Sequence, residues 1–81
     1  MDAAGIRLVW IYQRAHDELR CEIRPSGNGF DVLVLHGAAK DAQHVADAMT
    51  AVQRQLALER HLLAAGWRLK EFHPSTAGEL T

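Results

Sequence analysis

Eighty-one residues allow one domain and no second. Nine Lys and Arg against ten Asp and Glu leave a net charge of −1, so no basic field exists to hold a polyanion and no acidic excess suggests a solvating tail. A composition that is 48% hydrophobic and 23% charged excludes a disordered chain, and a domain of this size can bury roughly 63% of its unfolded surface, enough for one modest core.

Residues 6–13 (IRLVWIYQ) are rich in β-branched and aromatic side chains and predict a first strand. The apolar run is broken by Arg7, is too short to span a bilayer and lacks the basic leader of a secretory signal, so a cytoplasmic location is expected. After a short turn at Ala15-His16-Asp17, residues 19–24 alternate strictly. Leu19, Cys21 and Ile23 fall on one face, and Arg20, Glu22 and Arg24 on the other. Pro25-Ser26-Gly27-Asn28-Gly29 is a turn, and residues 30–36 (FDVLVLH) form a third strand, giving an antiparallel meander. If Leu19, Cys21 and Ile23 face inward, the outer face of strand two is a charged ridge flanked by Val9, Ile11, Leu33 and Leu35.

Asp41 is a suitable N-cap, and residues 42–65 contain no Gly or Pro, which predicts one long helix ending at Gly66. Residues 67–73 (WRLKEFH) predict a short fourth strand ended by Pro74, and residues 75–81 a disordered tail beyond a single domain of residues 1–74. The expected class is therefore α+β, in the order β-β-β-α-β, with the helix packed on one face. Strand four is expected at the edge, parallel to strand one.

At about 100° per residue this helix carries two apolar stripes. Val45, Met49, Val52, Leu56 and Leu63 form the one expected to lie on the sheet. Ala48, Ala51, Gln55, Leu58, Leu62 and Ala65 form the other, at coiled-coil spacing. A helix of that length would span about 36 Å against about 23 Å for a strand, leaving Leu58 and Leu62 on an overhang. Either strand four and Trp67 fold back over them, or the helix breaks, or a second copy of the chain covers them. The last expectation makes Leu58, Leu62, Ala51 and Gln55 a homodimer interface.

Chemistry is sparse. The five histidines show no metal-ligand spacing, Cys21 lies on the apolar face of strand two, and the Gly-rich stretch joins two strands and opens no helix. No metal, no cofactor and no catalytic residue are expected. The strand Glu18-Leu19-Arg20-Cys21-Glu22-Ile23-Arg24, with the hairpin and helix around it, resembles the plant ethylene-response type of DNA-binding domain over roughly residues 6–56. It also resembles some integrase amino-terminal domains. That resemblance implies a nucleic-acid-binding sheet with Arg14, Arg20 and Arg24 as its contacts. Yet residues 1–36 carry four Arg against five acidic residues, where a phosphate-binding face needs uncompensated cations. The same strand, Gly-containing turn and Ala/Leu/Arg helix is similar to small uncharacterised bacterial β-β-β-α proteins, a likeness that implies a fold and no activity. The leading expectation is a non-catalytic interaction or regulatory module that self-associates through its helix, with no membrane contact. Nucleic-acid binding is the alternative.

Overall fold

The computed structural model describes residues 6–76. Its elements are β1 (Ile6–Arg14), β2 (Asp17–Ser26), β3 (Gly29–His36), β4 (Ala39–Val45), α1 (Ala48–Ala64) and β5 (Arg68–Thr76). The strands form one antiparallel sheet in the order β4-β3-β2-β1-β5, with α1 on one face. The α+β class and the meander of the first three strands agree with the sequence expectation.

Residues 39–45 do not belong to the helix. Gly37, at φ +60°, lets the chain reverse directly after β3, and β4 then pairs with β3 from His36–Ala39 to Phe30–Val45. Residues 39–44 are exposed. An edge strand carrying Lys40, Asp41 and His44 is poorly suited to pair with another sheet. Helix α1 begins at Asp47 and not at Asp41: the Asp47 carboxylate accepts from the Thr50 backbone N–H at 2.7 Å.

The extra strand reverses the direction of everything after it. With three strands before the helix, the last strand would run parallel to β1. With four, it runs antiparallel to β1, on the β1 edge where it was expected. The pairing places Ile11 opposite Glu71 and Tyr12 opposite Leu69, so Lys70 is an extra residue in a bulge. Pro74 does not end the strand. It pairs with Leu8 on an edge strand, where a missing N–H is tolerated, and β5 continues through Ser75 and Thr76. The remainder of the expected tail, residues 77–81, lies outside the described residues.

The stop at Gly66 is as expected. Gly66 takes φ +94°, its N–H reaches the Leu63 carbonyl, and the Trp67 N–H reaches back to Leu62 at 3.0 Å. This is the Schellman arrangement, completed by the apolar contact of Trp67 with Leu62 inside the core. The core also takes Tyr12, Leu19, Cys21, Ile23, Val32 and Val45 from the sheet. Seventeen helical residues span about 26 Å, close to the reach of an eight-residue strand, so no overhang exists.

Candidate interaction surface

The helix meets its sheet with the stripe expected to form a dimer seam. Ala51, Gln55 and Leu62 are buried, and Leu58 packs against the core. The stripe expected on the sheet points away from it: Met49 is 71% exposed, Val52 39%, Leu56 47% and Leu63 50%. Val45 is buried as expected, but as the last residue of β4. Trp67 closes over Leu62 within the same chain, so Leu58, Leu62, Ala51 and Gln55 are occupied internally.

Three hydrogen bonds fix this rotation. Gln55 Nε2 donates to the Tyr12 hydroxyl at 2.7 Å, and that hydroxyl donates to Glu59. On the opposite flank Arg54 donates to Gln43 of β4 at 2.9 Å. Glu59 thus marks the side of the helix nearest β1, and Arg54 the side nearest β4. The exposed stripe is centred roughly 120° from the buried one, on the Glu59 side, so it overlooks β1 and β5.

The outer part of that half lies beside the helix. Helix α1 packs mainly on β3, with β2 and β4, and reaches β1 at Tyr12, which is buried. Five strands extend about 19 Å between their outermost axes, whereas one helix is about 10 Å wide, so the β5 edge of this face extends past the helix. On it Trp10 stacks at 5.2 Å on Phe72, which is 46% exposed, and Leu69 is 48% exposed. By helix phase Met49, Val52, Leu56 and Leu63 turn to the β1–β5 side, where Leu69 and Phe72 are exposed on the same face of the sheet; these six are the large exposed hydrophobic side chains of the described residues.

The other face of the sheet is different. Its register matches the expectation: Val9–Glu22–Leu33 form one cross-strand row and Ile11–Arg20–Leu35 the next. Val9 and Leu33 are buried at 5% and 4% exposure, and Glu22 is held by Arg20 Nε at 2.7 Å. These apolar groups have little surface left to offer. The candidate nucleic-acid contacts do not converge either. Arg20 and Arg24 are on this face, whereas Arg14 is on the helix side, with its guanidinium 4.7 Å over the Trp67 ring and a hydrogen bond to the Ala65 carbonyl.

Cys21 is fully buried, as its place in the alternation implies, and burial, aided by the Glu22 charge, pushes its thiol up to about 12. Burial and the Glu59 carboxylate likewise raise the Tyr12 hydroxyl well above its ordinary range. Neither group is poised to react. The histidines are dispersed: His44 bonds Asp31 at 2.7 Å, His73 bonds Glu71, and His36 stands edge-on to Trp67. Among the described residues no three potential metal ligands cluster, and no helix is long and apolar enough to cross a membrane. Comparison with protein-family models, curated proteins and solved structures found no match.

Proposed function

We propose that this protein is a non-catalytic interaction module that self-associates through the apolar surface beside its helix. The observation that carries the reading is the exposure of Met49, Val52, Leu56, Leu63, Leu69 and Phe72, each between 39% and 71%, the first four on a helix stripe whose phase turns it to the β1–β5 side. Apolar patches of this kind mark contact sites. A second copy supplies what the surface lacks, which is one more helix. In a two-fold pair each helix keeps its inner stripe on its own sheet and lays Met49 and Leu56 over the partner's exposed Leu69 and Phe72, enclosing two helices between two sheets. Side chains of these sizes leave roughly 500 Å² per copy uncovered, so pairing buries about 1,000 Å² before flanking residues are counted, the lower end for a specific interface.

Sedimentation velocity over a concentration series tests this. The wild type is expected to be a reversible dimer, and Leu56→Glu with Phe72→Glu a folded monomer of unchanged helix content, because Glu is nearly as good a helix former as Leu. A wild type that stays monomeric across the series would refute self-association.

A further inference from the structure

We propose that the recess where β1 and β5 meet the end of the helix binds a small phosphorylated ligand, a phosphate ester or a diphosphate. The recess has a volume of about 560 Å³ and is lined by Gln13, Arg14, Ala15, Gly66, Arg68, Leu69 and Lys70. Three of the chain's nine Lys and Arg therefore border one concavity, and among the described residues no carboxylate lines it. Its volume is within the range of small-molecule sites.

Arg14 is prepared for such a ligand. Stacking on Trp67 and one hydrogen bond to Ala65 O at 3.0 Å fix the guanidinium plane, and its other N–H groups remain available as donors. The same bond offsets the partial negative charge of the helix C-terminus, which would otherwise repel an anion at this position. Lys70 reaches Glu18 only at 3.4 Å, between two exposed side chains, an arrangement a better acceptor can displace. Arg68 has no side-chain partner among the described residues. Ala15 holds φ +53° in the two-residue β1–β2 turn that forms one wall, the conformation such a turn requires. Two guanidinium forks and an ammonium suit a group with several oxyanions better than a single carboxylate. The recess is built within one chain and needs no partner, though Leu69 borders both it and the apolar surface.

Titration of the full chain with sodium pyrophosphate, read by backbone amide shifts, is the test. Saturable shifts confined to residues 13–15 and 66–70 are expected. Arg68→Gln, a change at an exposed side chain, should lower the affinity at least tenfold with the unfolding midpoint unchanged. Arg14→Lys keeps the charge but loses fork and stack, and should lower it as much. Absence of saturation up to about 10 mM, weaker than any millimolar site, would overturn the proposal. So would variants that bind like the wild type, or shifts spread evenly over Arg7, Arg20, Arg24 and Lys40. A single-stranded oligonucleotide binding more tightly than pyrophosphate, with shifts reaching Arg20 and Arg24, would overturn it in favour of nucleic acid.

Discussion

Leu62 and Leu63 are neighbours in sequence with opposite environments, 6% and 50% exposed, and truncating each in turn measures the rotation of the helix directly. Leu62→Ala empties a site in the core beside Trp67 and Ala51, which should cost about 2–5 kcal/mol. Leu63→Ala removes a half-exposed side chain, so about half the transfer free energy of a buried leucine is at stake, roughly 1 kcal/mol, and the better helix propensity of Ala returns a little of that. A domain of this length is expected to have only about 4–12 kcal/mol of stability, so the first variant should lose a large share of it and the second little. Urea unfolding followed by far-UV circular dichroism separates them: at about 1 kcal/mol per molar, a 2 kcal/mol difference moves the midpoint by about 2 M. Measurement at low protein concentration removes any contribution of association, which would otherwise make the Leu63→Ala cost rise with concentration. Equal costs, or a larger cost at Leu63, would refute the placement of the Leu62 stripe on the sheet.

Stability should fall at alkaline pH. The Cys21 thiol ionises near its ordinary value of 9.0 when unfolded but only near about 12 when folded, so the unfolded state releases its proton first and stability is lost between those values. One group contributes a slope of up to about 1.4 kcal/mol per pH unit, which Cys21→Ala should remove from the unfolding curve between pH 9 and 10, before Tyr12 adds its own. Gly29→Ala should cost about 3 kcal/mol, because a Cβ there would stand 2.1 Å from the Val45 carbonyl oxygen. Gly27→Ala, with nothing within 4 Å, should cost only about the 1 kcal/mol of its φ of +57°. Unfolding midpoints that do not separate these two glycines would contradict the packing of the β2–β3 turn against the end of β4.

The legible parts of the fold were those where one face is buried and the other wet. Strand β2 alternates for that reason, and its charged ridge with flanking aliphatics followed from the alternation alone. The helix stop was legible because Gly66 and Trp67 complete a local motif. Strand β4 was hidden by its own solution to the edge problem: residues 39–44 are exposed on both faces, so no period of two exists to be read, and Ala, Lys and Gln then resemble a helix. The weak signals were the Gly37-Ala38 connection and Asp47, three residues before Thr50. This one error propagated. Taking Val45 as helical set the phase of the core stripe, and Val45 is indeed in the core, but on a strand. Once it leaves the helix, nothing ties Met49, Val52, Leu56 and Leu63 to the interior. The direction of β5 was inverted by the same miscount. The recess was invisible because its walls come from positions 13–15 and 66–70, which only the β1–β5 pairing brings together.

Gln55 is the residue whose environment the sequence could least convey, since its partner Tyr12 is 43 positions away. It sits in the core stripe at 2% exposure, and Tyr12 beneath it is fully buried. Tyr12→Phe removes the acceptor of the Gln55 amide and the donor to Glu59, leaving the buried Gln55 amide unpaired at a cost of about 1–3 kcal/mol. Gln55→Leu alone costs less, because the Tyr12 hydroxyl keeps Glu59. With both replaced the orphaned amide is gone, so much of the loss should be recovered, giving a favourable coupling in the cycle of about 1 kcal/mol or more. Additive costs would mean that the two side chains do not depend on each other. Recovery of stability need not recover function. The network sets the rotation of the helix by holding Gln55 and Glu59 over β1, and that rotation turns Leu56 and Leu63 towards the β1–β5 side of the sheet. If self-association depends on that alignment, the double variant should unfold nearly like the wild type yet dissociate at lower dilution. A double variant that dimerises unchanged would show that apolar packing alone orients the helix.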